Sequence, residues 1–319
     1  MTHDSAISTV GLTKHYPGVA ALTDLSLDVP AGSIYGFLGP NGAGKSTTIK
    51  LLAGLTRPSS GTASVAGVPV QAGAGYRREV GYLAQEPHFY DWMSGPETLR
   101  FVASLYPAEG RADDARIAAI LARVGLADAR DRRTDTYSGV MRQRLGIAQA
   151  LVGSPAVLLL DEPVSALDPI GRREVLDLMR ELRGEVTVFY STHILDDVER
   201  VSDHVAILDG GRLVRAAPTA ELLESFNQDQ LRVVFGGADD TTAVAITGIT
   251  GVVSVEPAER EAALRTYIVR VQPGATAAVQ AAITRFAVAH DLVVTENRLV
   301  RLGLEDVFLR LVDTKERAA

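Results

Sequence analysis

Four short stretches hold residue types that do phosphate chemistry when they are brought together. "GPNGAGKST", Gly39 to Thr47, has the spacing of a P-loop. In such a loop glycine-permitted turns aim backbone N–H groups at phosphate oxygens, and the helix that follows favours anions at its N-terminus. The candidate nucleotide-binding residues are Gly39, Asn41, Gly42, Ala43, Gly44, Lys45, Ser46 and Thr47. Lys45 adds positive charge near the outer phosphates, and the Ser46 hydroxyl can reach Mg2+. "AVLLLDEP", 156 to 163, then places Asp161 at the end of a continuous apolar run, within reach of a Mg2+ shell. Glu162 beside it can act as general base for an attacking water. Two acids at a strand end also fit the capping of a following helix, and it is the P-loop upstream that favours catalysis. His193, in "STH", can donate to a γ-phosphate or hold Glu162 and water in line. Gln85, in "GYLAQEP", can offer its amide to Mg2+ or water. Each of these two also reads, by itself, as an ordinary structural or surface residue.

The elements needed to position these groups are legible around them. "IYGFLG", 34 to 39, is an apolar strand running into the glycine-rich turn, and a helix starts near Gly44. The run ending at Asp161 is apolar throughout, as in a strand buried on both faces of a parallel sheet. "EVTVFYSTH", 185 to 193, is rich in β-branched and aromatic residues and forms another strand. Helical patterns lie between them, which predicts a layered α/β domain over residues 1–224 with a helical subdomain inserted at about 88–152. "PHFYDWM", from 87 to 93, is apolar and aromatic enough for an interface and fits core packing equally well. From 225 to 319 the pattern changes to short strands and helices in the order βαββαβ, which predicts a small ferredoxin-like α+β domain. "LEDVFLRL", 304 to 311, closes the chain's readable pattern with Leu304, Val307, Phe308 and Leu311 on one helical face.

Composition narrows the class. At 319 residues, with 46% hydrophobic and 22% charged content, the chain is long enough for two cores and is that of a globular protein. A net charge of -7 argues against nucleic acid as a partner, local pairs such as Arg142 and Arg144 notwithstanding. The absence of cysteine removes disulfides, thiolate catalysis and cysteine zinc sites, and is compatible with a reducing cytoplasm. The start "MTHDSAISTV" lacks the pattern of a secretion signal, so no export of the chain is expected. The longest apolar stretch, "AVAITGITGVV" from 243 to 253, falls short of the roughly 20 residues that span a bilayer.

Taken in order along the chain, the motifs resemble those of the ATP-binding subunit of an ABC transporter. Tyr16 in "KHYPGVAAL" stands where that family stacks an aromatic on adenine, and the P-loop and Gln85 follow. "YSGVMRQR" stands at the LSGGQ signature, with Ser138 and Gly139 retained and Val140 and Met141 replacing glycine and glutamine. Asp161 and Glu162 come next, then "SALDP" with Asp168 at the D-loop and His193 at the H-loop. The tail "LEDVFLRL" resembles the closing motif of the daunorubicin-resistance and sodium-efflux exporter branch.

The resemblance implies an ABC-type P-loop ATPase using ATP and Mg2+. Glu162, His193, Gln85, Lys45 and Asp168 would be its catalytic residues, and Ser46, Gln85 and Asp161 its metal ligands. Tyr16, the P-loop residues, Ser138 and Gly139 would bind nucleotide. Its partners would be a second copy or a homologous ATPase subunit, together with separate transmembrane permease subunits. Its place would be the cytoplasmic face of the membrane, peripheral through the permease, with no nucleic acid. The alternatives are an importer subunit and a soluble ABC ATPase acting on ribosomes or DNA. A helical Val140 would cost the backbone little, whereas a glycine-only turn would crowd the phosphate; the expectation is a competent but slower site.

Overall fold

The computed structural model describes residues 5–71, 73–107, 112–226, 229–261, 263–300 and 303–316. The chain runs β1 (Ser5–Tyr16), β2 (Val19–Pro30), β3 (Ile34–Leu38), α1 (Lys45–Leu52), β4 (Ser60–Val65), β5 (Val68–Pro69), α2 (Ala74–Arg78) and β6 (Val80–Leu83). Next come α3 (Gly95–Ser104), α4 (Asp114–Arg123), α5 (Gly139–Leu151), β7 (Val157–Leu160), α6 (Pro169–Glu181), β8 (Thr187–Thr192) and α7 (Leu195–Val201). They are followed by β9 (His204–Asp209), β10 (Arg212–Pro218), α8 (Thr219–Phe226), β11 (Gln230–Gly236), α9 (Thr242–Thr247) and β12 (Val252–Glu261). β13 (Leu264–Val271), α10 (Thr276–Ala289), β14 (Val293–Leu299) and α11 (Leu304–Glu316) complete the order. Two compact units result, residues 1–220 with 308–319 and residues 221–307. The described residues of α11 from 308 to 316 group with the first unit.

In the first unit six strands line up as β10-β9-β3-β8-β7-β6, all parallel except β10. Every residue of β3, β7 and β8 is buried, as a parallel sheet covered on both faces requires. A second sheet, β2-β1-β4-β5, is antiparallel, and α1 touches strands of both sheets. The core joins Ile7, Leu22 and Val65 of the antiparallel sheet to Ile49 and Leu52 of α1 and to Phe37, Leu159 and Phe189. This antiparallel sheet is absent from the expectation drawn from sequence. Its first strands carry register shifts on both sides of Gly11 and Asp24, which break the period-2 alternation that betrays a strand.

The inserted helical region lies between β6 and β7, and each of its three α-helices starts on a capping side chain. Ser94 and Glu97 form a capping box on α3, Asp113 accepts from Arg116 N on α4, and Ser138 accepts from Met141 N on α5. In the second unit β11-α9-β12-β13-α10-β14 gives a four-stranded antiparallel sheet in the order β12-β13-β11-β14. That is the ferredoxin-like arrangement expected from sequence. Leu231, Val233 and Phe235 of β11 and Tyr267, Val269 and Val271 of β13 pack with Val279, Ile283 and Ala287 of α10. On α11, Leu304 and Val307 are buried and Phe308 and Leu311 half-buried, the predicted face.

Candidate nucleotide-hydrolysis site

Parallel register brings the motif-bearing strand ends to one edge of the sheet. Leu160 pairs with Tyr190 and Leu38 with Thr192, so one residue further on Asp161 lies beside Ser191 and Gly39 beside His193. Leu83 pairs with Leu160, which starts the Gln85 loop at the same edge. Ligand sites of open α/β sheets form in this position, outside the carboxyl ends of the strands.

The loop from β3 to α1 can take its shape only with glycine at two points. Gly44 has φ 101°, and a Cβ there would overlap the Ala21 carbonyl; a Cβ at Gly39 would overlap that of Leu208. The result is a helix whose N-terminus has no side-chain cap. Its first-turn N–H groups are therefore available to an anion. The Lys45 side chain is buried and its Nζ donates to Gly39 O (2.8 Å) and Pro40 O (3.1 Å), with Glu162 Oε1 at 3.4 Å. Thr48 closes the turn by donating to Gly44 O, while Asn41 and Gly42 are exposed and Thr47 half-buried.

Asp161 and Glu162 are both buried. Asp161 Oδ1 accepts from Ser46 Oγ (3.0 Å) and from Ser191 Oγ (2.7 Å), and Ser191 Oγ in turn accepts from Glu162 N (2.9 Å). Glu162 sits at φ 47°, a left-handed conformation that costs a non-glycine residue about 1–2 kcal/mol. Such strain persists where the surroundings over-determine it, and it is common at functional sites. The conformation turns the carboxylate toward Lys45 on one side and His193 Nδ1, 3.1 Å from Oε2, on the other. Burial, with the Asp161 charge adding to it, pushes the neighbouring Tyr82 hydroxyl above its ordinary pKa.

Lys45, Ser46, Asp161, Glu162 and His193 thus form one connected cluster. The P-loop residues adjoin it, whereas Gln85, Asp168, Tyr16, Ser138 and Gly139 stand elsewhere on the unit. Gln85 is exposed, and it is its carbonyl that is held, by Gln143 Nε2 of α5 at 3.3 Å. Asp168 is exposed and caps α6 through Gly171 N (2.7 Å). Tyr16 ends β1, partly exposed, with Lys14 Nζ 4.8 Å from its ring centroid. Ser138 and Gly139 are exposed at the start of α5. Val140 is the second helical residue there and has no positive φ, so it needs no glycine-only conformation.

Sequence reasoning passed over Ser191, which joins the cluster, and Gln143, Arg172 and Asp197, which lie outside it. Ser191 is a small polar residue in the wholly buried strand β8, two residues before His193, and that position is the signal it offered. Gln143 lies on the buried face of α5 with Ile147 and Ala150. Arg172 of α6 and Asp197 of α7 form an ion pair at 2.7 Å with the Asp197 side chain almost wholly buried. Burial nonetheless holds the Asp197 carboxyl above the usual carboxylate range.

The site can hold a divalent cation only with help from a ligand. Among the described residues no group of three or more His, Cys, Asp and Glu is placed to hold a metal. Mg2+ fits this supply, since it is held by one or two hard oxygen donors with phosphate oxygens and water completing its shell. Ser46 Oγ and Asp161 Oδ1 are such donors, already 3.0 Å apart.

Known proteins are similar to this chain in sequence and in fold. The family profile described as ABC transporter matches residues 22–165. The ABC transporter ATP-binding protein YxlF of Bacillus subtilis is 44% identical, over 71% of this chain and 75% of its own. The daunorubicin/doxorubicin resistance ATP-binding protein DrrA of Streptomyces peucetius is 42% identical, over 72% and 70%. A fluoroquinolones export ATP-binding protein of Mycobacterium tuberculosis is 38% identical, over 76% and 80%. Among solved structures, an ATP-binding subunit of an ABC transporter has TM-score 0.62 at 29% identity, over 70% of this chain and 93% of its own. The ATP-binding cassette MJ0796, described as a dimer in a post-hydrolysis state bound to ADP and Pi, has TM-score 0.60 at 22% identity, over 66% and 98%, a likeness of fold.

Proposed function

The chain belongs to the ATP-binding proteins of ABC transporters, an ATPase family, and on that premise we propose that it powers export through a separate membrane permease. The observation that carries the reading is the connected cluster of Lys45, Ser46, Asp161, Glu162 and His193 at the converging strand ends. In this reading the P-loop amides and Lys45 bind the ATP phosphates. Ser46 and Asp161 would hold Mg2+, which would supply neutralisation of charge on the phosphate oxygens. Glu162 takes a proton from the attacking water as its oxygen bonds to the γ-phosphorus and the bond to ADP breaks. His193 fixes the Glu162 carboxylate and is exposed enough to meet the γ-phosphate as well.

Two subunits, identical or homologous, close around two ATP molecules, each lying between one P-loop and the opposite chain's α5. The exposed start of α5 supports this, because Ser138 and the first-turn N–H groups there can address phosphate. So do Asp168 and the adjoining Ile170, an apolar side chain 73% exposed. The dimeric description of MJ0796 agrees with it.

Contact with the permease runs through the helical region. Tyr90, Trp92 and Phe101 form an exposed aromatic cluster, with Tyr90 centred 4.9 Å from Trp92 and 5.7 Å from Phe101. Of the two readings of residues 87–93, exposure favours the interface. The chain then sits peripherally at the cytoplasmic face of the membrane; no helix among the described residues is long and apolar enough to cross it. Export is favoured over import by relatives named for drug resistance and drug export.

The test is purification of the tagged chain from membranes with its binding partners. A permease without a solute-binding protein supports export, and a solute-binding protein in the complex overturns it. Trp92→Ala is expected to lose the permease while the detached chain keeps its ATPase activity; retained association would remove the aromatic cluster from the interface.

A further inference from the structure

Gly171 is buried at the third position of α6 and lies outside the left-handed region, so its backbone does not require glycine. A helical glycine costs about 1 kcal/mol relative to alanine, and some other feature must account for it. The main feature is Val140: a Cβ at Gly171 would overlap Val140 Cγ2 and lie 3.4 Å from Val140 Cβ, and it would also come 3.1 Å from the capping Asp168 Oδ1. The valine that replaces a signature glycine is therefore seated in the space that a second glycine leaves open, on the helix capped by Asp168. One turn further along both helices, Arg144 Nη2 meets Glu174 Oε2 at 2.8 Å. Residues 140 and 144 share a face of α5, and 171 and 174 share a face of α6. Gly139 faces the same loop, where a Cβ would come 3.9 Å from Leu167 Cδ2.

We propose that Val140 is a positioning residue, a knob that locks the first turn of α5 to the first turn of α6 so that Ser138 and Asp168 move as one piece. The lock rests on the reading that α5 addresses a nucleotide held by the opposite subunit. Its consequence is that ATP-driven pairing presents the Ser138 end and Asp168 together. Arg172, next to Gly171, carries the connection on to α7 through Asp197. Val140 and Gly171 thus form a matched pair: valine at 140 is tolerated because residue 171 is glycine.

A size swap tests it in the full-length chain, with kcat, KM for ATP, ATP-driven dimerisation in a Glu162→Gln background, and melting temperature as readouts. Gly171→Ala is expected to lower kcat and dimerisation about 10-fold or more, since misplacement of a catalytic element by an ångström costs on that order or beyond. Val140→Gly is expected to lower both as well, by freeing the end of α5, with KM changed less than kcat. Val140→Gly with Gly171→Ala should recover most of the loss, because the alanine methyl refills the space. A double variant no better than Gly171→Ala, or a Val140→Gly enzyme as fast as the parent or faster, overturns the lock. Ser138→Ala separates the underlying reading: if pairing and turnover survive it, α5 does not bind nucleotide. An impaired Ser138→Ala with a failed size swap leaves that reading standing and removes only the lock.

Discussion

Ser191→Ala removes a single oxygen that serves both acids of the candidate site. The hydroxyl is fully buried, donates to Asp161 Oδ1 at 2.7 Å and accepts from Glu162 N at 2.9 Å. A hydrogen bond to a charged group contributes about 1.5–3 kcal/mol, and an orphaned buried N–H costs about 1–3 kcal/mol. The two share one atom, so their sum overcounts, and a loss of about 3 kcal/mol is expected. For a unit of this size that lowers the melting temperature by about 6–12 °C, at about 2–4 °C per kcal/mol. The same change releases Glu162 from the N–H contact that helps keep it at φ 47°, so kcat should fall about 10-fold or more. ATP affinity at the P-loop should hold, because Lys45 keeps its carbonyl partners Gly39 and Pro40. Thermal unfolding followed by circular dichroism, with steady-state ATPase kinetics and calorimetric ATP titration, reads all three. A variant with the parent's melting temperature and kcat would refute the claim that Ser191 organises the acid pair.

Glu162→Gln is expected to lower kcat by about 10²–10⁴-fold, the usual contribution of a general base, with ATP binding largely intact; normal turnover would remove Glu162 from that role. Lys45→Ala should weaken ATP binding itself, measured by calorimetry, and unchanged affinity would contradict the placement of its ammonium against the phosphates. Arg172→Met strands the buried Asp197 carboxylate and should cost about 3–5 kcal/mol in urea unfolding at neutral pH. Burial already holds that carboxyl above its ordinary range, so the unfolded chain gives up the proton more readily. The cost of Arg172→Met therefore grows as pH rises through the carboxylate range and fades below it. A pH-independent loss would mean that the damage is packing rather than charge.

Glycine spacing, apolar runs and acids at strand ends were enough to place the P-loop, Asp161, Glu162 and His193 on the right elements, because local backbone chemistry constrains those residues. The βαββαβ order of the second unit was legible for the same reason: β13 alternates from Tyr267 to Val271, and α10 buries Val279, Ile283 and Ala287 at helical spacing. The antiparallel sheet of the first unit was not, since the bulges around Gly11 and Asp24 scramble the burial pattern of β1. Contacts across strands or helices also left little trace. Ser191 is one polar residue in a strand, and nothing local marks it as the bridge between two acids.

The opening motif of α5 divides the two sources most clearly. Sequence by itself determined that Ser138 starts a helix, because a serine before an amphipathic run caps it, and that Val140 departs from the family's glycine. Only tertiary structure decided what the departure means. Val140 lies 31 residues from Gly171, and a side chain's room depends on which helix packs against it, so the fit exists only once α5 and α6 are side by side.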